Sequence, residues 1–253
     1  MNMTFFRQLA VTTMLLFFLN TNVWADYTEG QTAYLKGDYV EAMKQWLPLA
    51  EQGNASAQTN LGVMYANGYG VEQNYAQAIK WYKLAIQQGD AVAQCNLGIM
   101  YEYGQGVEKD NVQAFEWTRK AAEQGYVKAQ FHLGYYYGSG MGVTKDDALA
   151  AVWYRKAAEQ GNALAQSYLG FMYEHGQGVK KSYQQAVLWY RSAAAQGESM
   201  AQYNLGTMYE YGKGVEKNRE QAIAWYRKAS EQDLPQAKKA LFNIEGSFPI
   251  QLE

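Results

Sequence analysis

Apolar and small residues return along this chain with two nested periods. Across 57–67, Ala57, Leu61, Met64 and Tyr65 follow at steps of four, three and one, which places them on one face of a helix. Across 74–88, Ala78, Trp81, Tyr82 and Ala85 repeat the signature at i, i+3, i+4 and i+7, so a second helix is predicted there. Between them Gly68-Tyr69-Gly70 interrupts both periods, and glycine is the residue that stops a helix and turns the chain. Helix, turn and helix make a hairpin. The Leu61-Gly62 pair recurs as Leu97-Gly98, Leu133-Gly134, Leu169-Gly170 and Leu205-Gly206, always 36 residues on. A fixed period of this length marks a solenoid of stacked units. The fold class is therefore all-α, an α-solenoid of helical hairpins in 36-residue repeats.

Five full copies start at Ala57, Ala93, Ala129, Ala165 and Ala201, so 57–236 reads as five repeats. Residues 26–56 read as an N-terminal capping hairpin. Its second half keeps the register, with Asp38, Glu41, Ala42, Trp46 and Gly53 lying 36 residues before Asn74, Gln77, Ala78, Tyr82 and Gly89. Its first half, Tyr27 to Gly37, is short and lacks the Leu-Gly pair. Residues 237–253 read as a capping helix and a tail, and Phe242 occupies the slot of Gly206. An end unit has one neighbour only, which releases its packing slots.

Several slots carry local expectations. Gly62 and its equivalents sit inside a helix, where glycine costs about 1 kcal/mol relative to alanine; their recurrence predicts close approach of a neighbouring helix. Asn74, Asp110, Asp146, Ser182 and Asn218 share the slot before the second helix and are N-cap types. Gln77, Gln113, Gln185 and Gln221 follow as a capping box. Leu149 breaks that box and predicts a weaker helix start in the third repeat. Thr118 stands where the other repeats have tyrosine and predicts a local gap.

The first 25 residues obey no repeat. Arg7 precedes an apolar run from Leu9 to Leu19, and Val23-Trp24-Ala25 offers small residues before a cut at Asp26. The run has the length of a signal-peptide core and is short for a membrane span. Residues 1–25 are read as a signal peptide cleaved after Ala25, with an uncleaved anchor as the alternative. The expectation is a periplasmic or secreted protein without stable membrane insertion after cleavage.

Lysine and arginine total 22 against 24 acidic residues, so no basic footprint for nucleic acid exists. Aromatics at 15% with only 3 prolines fit packed helices rather than a disordered chain. The single cysteine, Cys95, excludes an intrachain disulfide. Its slot elsewhere holds Thr59, Phe131, Ser167 and Tyr203, so it reads as a helix-face side chain, with a reactive thiol as the alternative. His132 and His175 are the only histidines. No metal-ligand spacing and no nucleophile elbow occurs. The Gly-x-Gly turn lacks the third glycine and the preceding strand of a phosphate loop. No catalytic, metal-binding or cofactor-binding residue is assigned.

The motif Ala-Gln-x-x-Leu-Gly-x-Met-Tyr-x-x-Gly-x-Gly-Val, followed by Ala-x-x-Trp-Tyr-x-x-Ala-Ala-x-Gln-Gly, resembles the Sel1-like repeat, a relative of the tetratricopeptide repeat, over residues 38–241. The resemblance implies a right-handed superhelix whose concave groove is lined by the first helix of each repeat. It also implies an adaptor that binds a protein or peptide there. First-helix slots that differ between repeats are then the groove candidates: Ile99, Glu102 and Tyr103; Phe131 and Tyr135; Phe171, Glu174 and His175; Tyr203, Glu210 and Tyr211. They offer central aromatics beside a rail of Glu102, Glu174 and Glu210, which suits a peptide segment. Rings that merely cover apolar surface between hairpins are the alternative. One branch, the Helicobacter cysteine-rich proteins, carries a cysteine pair in each repeat and is linked to β-lactam binding or hydrolysis. This chain departs from it with one cysteine, and a cell-wall or β-lactam amidohydrolase stands as the alternative function.

Overall fold

The computed structural model describes residues 27–246. The predicted signal peptide, its expected cleavage after Ala25 and the tail residues 247–253 lie outside the described residues. Among the described residues every regular element is helical. The helices are α1 (27–35), α2 (Tyr39–Glu51), α3 (Ala55–Asn67), α4 (Tyr75–Gln87), α5 (Ala91–Tyr103), α6 (Asn111–Glu123), α7 (Val127–Ser139), α8 (Asp147–Glu159), α9 (Ala163–His175), α10 (Tyr183–Ala195), α11 (Ser199–Tyr211), α12 (Arg219–Ser230) and α13 (Pro235–Gly246).

Caps set the helix starts. The first helices begin two residues ahead of the register counted from Ala57. The reason is that Asn54, Asp90, Asn162 and Glu198 accept from the N–H groups of Ala57, Ala93, Ala165 and Ala201. In α7 the slot holds Tyr126, whose side chain does not cap the helix. The second helices start at the expected caps, which accept the third N–H at 2.9–3.3 Å. The returning half of the capping box has no orphan donor to serve. Asn74 N–H already donates to Tyr65 O at 2.8 Å, and Asp110, Asp146, Ser182 and Asn218 donate to Tyr101, Tyr137, Tyr173 and Tyr209. The weaker start expected at Leu149 is accordingly not seen, for its N–H reaches Asp146 Oδ1 at 2.9 Å. Between the helices, Gly68 caps α3 at φ 72°, and a Cβ on Gly70 would lie 2.7 Å from the Tyr39 carbonyl carbon. Asp233, in the slot of Gly197, keeps the left-handed turn at φ 61°, a region that aspartate tolerates better than most residues.

The chain divides into two compact units, one up to Ala121 and one from Ala122. In the first, α1 and α2 form the capping hairpin. It has no Leu-Gly pair, yet Gly30 does that glycine's work out of register. A Cβ there would lie 2.6 Å from Trp46 Cδ1, and Trp46 Nε1 donates to Tyr27 O at 3.1 Å. Ala42, Trp46, Leu49, Ala57, Leu61 and Met64 then form one buried cluster, covered by Trp81 of the following helix. Gly62 faces the ring of Tyr82. The gap expected at Thr118 does not open beside Gly98: a Cβ there would meet Thr118 Oγ1 at 2.7 Å and Ala114 O at 3.0 Å.

In the second unit α7–α8, α9–α10 and α11–α12 pair as hairpins, and α13 packs on α12. Leu133, Leu169 and Leu205 are wholly buried, each contributing about 1.5–3 kcal/mol by transfer from water. Cβ atoms on Gly134, Gly170 and Gly206 would sit 2.6–2.7 Å from ring carbons of Tyr154, Tyr190 and Tyr226. The close approach read from these glycines is thus within a hairpin, first helix against the tyrosine of the second.

A second recurring device is an amide stitch. Gln166 Nε2 donates to Ala158 O at 3.0 Å, and Gln196 Nε2 donates to Gln166 Oε1 at 2.8 Å. Gln130 with Ala122 and Gln160, Gln202 with Ala194 and Gln232, and Gln58 with Ala50 and Gln88 repeat it. Each buried amide ties the end of one second helix to the end of the next. Burying an amide unsatisfied would be costly, so both of its ends are used.

Candidate functional site

The first helices of the second unit carry the side chains that change from repeat to repeat, and three clefts open along them. One of about 220 Å³ lies among α7, α8 and α9, lined by Tyr135, Gly138, Tyr154, Phe171 and Gln177. One of about 410 Å³ lies between α9 and α11, lined by Leu164, Tyr168, Phe171, Glu198, Met200 and Asn204. The third, about 380 Å³, lies between α11 and α13, with Tyr203, Glu210, Tyr211 and Lys239 on its walls. Tyr168 and Phe171 border both the first and the second cleft.

The sequence candidates distribute unevenly over this surface. Tyr135, Phe171, Tyr203, Glu210 and Tyr211 line clefts. Phe131 packs inward instead, its ring 5.7 Å from those of Tyr154 and Tyr168. His175 closes α9, with Nδ1 3.0 Å from Phe171 O and its ring 4.1 Å from that of Phe171. Ile99, Glu102 and Tyr103 lie on α5 in the first unit, the first two half-buried and Tyr103 exposed. Leu164, Tyr168 and Met200 went unnoticed in the sequence. The available signal for Leu164 and Met200 is the second slot after each first-helix cap, which runs Ser56, Val92, Lys128, Leu164, Met200 and ends on two apolar residues that the structure leaves exposed.

Two carboxylates of the expected rail are engaged inside the fold. Tyr190 Oη donates to Glu174 Oε2 at 3.0 Å, and Lys213 Nζ meets the other oxygen at 3.3 Å. Tyr226 Oη donates to Glu210 Oε2 at 2.6 Å. Burial first, then the neighbouring glutamate, holds both phenols well above their ordinary range, so they remain donors. Tyr154 is raised by burial and then by Tyr168 and Tyr135. The two rings of Tyr154 and Tyr168 stack with centroids 5.2 Å apart.

Cys95 is 1% exposed, which keeps the thiol from solvent. Among the described residues, no group of three or more His, Cys, Asp or Glu side chains could hold a metal ion. No described helix is long and apolar enough to cross a membrane.

The Sel1 repeat family model matches residues 55–90, 91–126, 127–162, 163–198 and 199–234. Among solved structures, the chain is similar to a Sel1 repeat protein from Oxalobacter formigenes, with 36% identity over 90% of this chain and 92% of that chain and a TM-score of 0.80. It is also similar to a protective antigen present in uropathogenic Escherichia coli strains, with 38% identity over 90% of this chain and 57% of that chain and a TM-score of 0.62. An immunity protein from Pseudomonas aeruginosa, 23% identical over 85% of this chain and 84% of that chain with a TM-score of 0.56, shares the fold. No curated protein matches the chain. Five consecutive matches to one repeat model, spanning the hairpins of both units, mean that the chain belongs to the Sel1 repeat family.

Proposed function

We propose that this protein is an exported adaptor that seats a peptide segment of a protein partner on the first helices of its second unit, centred on the cleft between α9 and α11. Sel1 repeat proteins are in general protein-interaction scaffolds. The observation that carries the reading is one exposed apolar patch. Leu164, Tyr168, Phe171 and Met200 are 38–48% exposed and surround a single cleft with Ser167, Glu198 and Asn204. Contiguous apolar surface rimmed by polar groups marks a binding site. Aromatic anchors with a few fixed hydrogen-bonding groups suit a peptide. Export rests on the charged start, apolar run and small-residue cut of residues 1–25. The related protein of Escherichia coli being a protective antigen supports it, since an antigen must be reachable from outside.

A photo-cross-linking residue placed at Phe171, and as a control at Leu188 on α10, tests the surface. Adducts to one partner are expected from position 171 and not from 188; equal labelling from both would remove the assignment. Tyr135→Ala combined with Phe171→Ala should abolish capture of that partner while circular dichroism stays helical. N-terminal sequencing of the extracytoplasmic protein should start at Asp26, and a chain retained whole in the cytoplasm would end the export reading.

A further inference from the structure

Each repeat of the second unit buries one tyrosine beneath its first helix, and the surroundings of that hydroxyl differ. The Tyr226 hydroxyl donates a hydrogen bond to Glu210, and the Tyr190 hydroxyl donates one to Glu174, whose other oxygen meets Lys213. Thirty-six residues earlier the tyrosine is kept, as Tyr154, but its surroundings change: Gly138 stands for Glu174 and Gln177 for Lys213. Tyr154 is 4% exposed, and no described residue hydrogen-bonds its hydroxyl. The cleft of about 220 Å³ opens at this position, with Gly138, Tyr154, Gln177 and Lys145 among its walls and Tyr135 and Phe171 beside them. Room is not the reason for the glycine. A Cβ on Gly138 would meet only Ala150 Cβ, at 3.6 Å.

We propose that this cleft is a carboxylate socket, in which a glutamate side chain of the bound peptide takes the place that Glu174 and Glu210 occupy in their own repeats. The proposal rests on the peptide-binding reading above and names what the peptide must carry. Tyr154 Oη donates to the incoming carboxylate. The Gln177 amide stands in the slot from which Lys213 serves Glu174. Lys145, paired with Asp147 at 3.4 Å, supplies positive charge at the edge and offsets the one carboxylate already there. The rings of Tyr135 and Phe171 lower the local dielectric, which strengthens a hydrogen bond to an ionised acceptor.

The same rings and Asp147 would also suit a cationic side chain. An ammonium or guanidinium group, however, has no acceptor to offer, and the group in want of a partner is a phenolic donor. In both sibling repeats the protein answers that donor with a glutamate, which decides for the anion.

The test is a titration of N-acetyl-glutamate amide into the full isotope-labelled protein, followed through the Gly138 amide and Tyr154 ring signals. Saturable shifts are expected with this compound and not with N-acetyl-glutamine amide or N-acetyl-lysine amide. Gly138→Glu fills the socket from within and should weaken the response at least tenfold, as should Tyr154→Phe. Equal shifts from the glutamine or lysine compound, or an undiminished response in either variant, would overturn the socket. A larger response to N-acetyl-alanine, whose carboxylate is a chain end, would overturn the side-chain assignment. Should Gly138→Glu fail to fold, Tyr154→Phe carries the same decision. Cross-linking at position 171 that persists without any glutamate response sinks the socket and leaves the adaptor reading intact; the reverse result does the opposite.

Discussion

The third and fourth repeats, 127–162 and 163–198, are the same hairpin put to two uses. Both bury a leucine, press a glycine against a tyrosine ring and stitch to their neighbours through glutamine. They part at two positions around the tyrosine hydroxyl, Glu174 against Gly138 and Lys213 against Gln177. The fourth repeat closes it with Glu174 and Lys213; the third opens a cleft there with Gly138. Slots packed on both sides leave no freedom, because any change is met by a neighbour within van der Waals distance. Slots packed on one side can be emptied without loss of the frame, and there one repeat can differ from the next.

That comparison can be broken in several ways. Gly170→Ala and Gly134→Ala drive a Cβ into a tyrosine ring and should each cost about 1–3 kcal/mol by overpacking, read as a lowered denaturation midpoint. A neutral result would mean that ring contact is not why these glycines recur. Gln166→Ala and Gln130→Ala strand a buried partner and should cost about 1–3 kcal/mol each. Unequal losses would show that the stitch, unlike the hydroxyl, also differs between the two repeats.

Tyr190→Phe removes a hydrogen bond and should cost about 1 kcal/mol, whereas Tyr154→Phe removes none and should be close to neutral. Equal costs would contradict the contrast at its centre. Four of the buried phenols, Tyr82, Tyr154, Tyr190 and Tyr226, are raised above the ordinary value of 10.0 chiefly by burial. A raised folded-state value means that their contribution is complete below pH 10 and is lost as pH climbs beyond it. Helical signal should therefore hold from pH 8 to about 10 and fall above, later in Tyr154→Phe than in the parent. The smallest effect is opposite in sign. Gly138→Ala, four residues from Gly134 on the same helix, should gain about 0.5–1 kcal/mol, since only the conformational cost of glycine is removed.

Much of this architecture is legible in the chain because its causes are local. The 3.6-residue period, the N-cap three residues before its N–H and the glycine that ends a helix all act within one or two turns. The hairpins, their number and the cap residues from Asn74 to Asn218 follow from those alone. Variation between repeats marks Tyr135, Phe171, Tyr203, Glu210 and Tyr211 as free of the common frame, but it marks Phe131, Glu174 and His175 equally, and only the first five line the clefts described above.

What the tertiary structure decided is what stands opposite each face. A period says that Glu174 and Tyr190 each lie on a helix, but not that the hydroxyl of one reaches the carboxylate of the other across 16 residues. Gly30 meets Trp46 outside the register because the capping hairpin has a shorter turn, and only packing restores the contact. Phe131 turns inward against the rings of Tyr154 and Tyr168, while Leu164 and Met200 are left exposed at the cleft between α9 and α11. Sequence spacing determined the helices and their repeat; the distances between helices, which no single helix encodes, determined which hydroxyl is closed and which lies open.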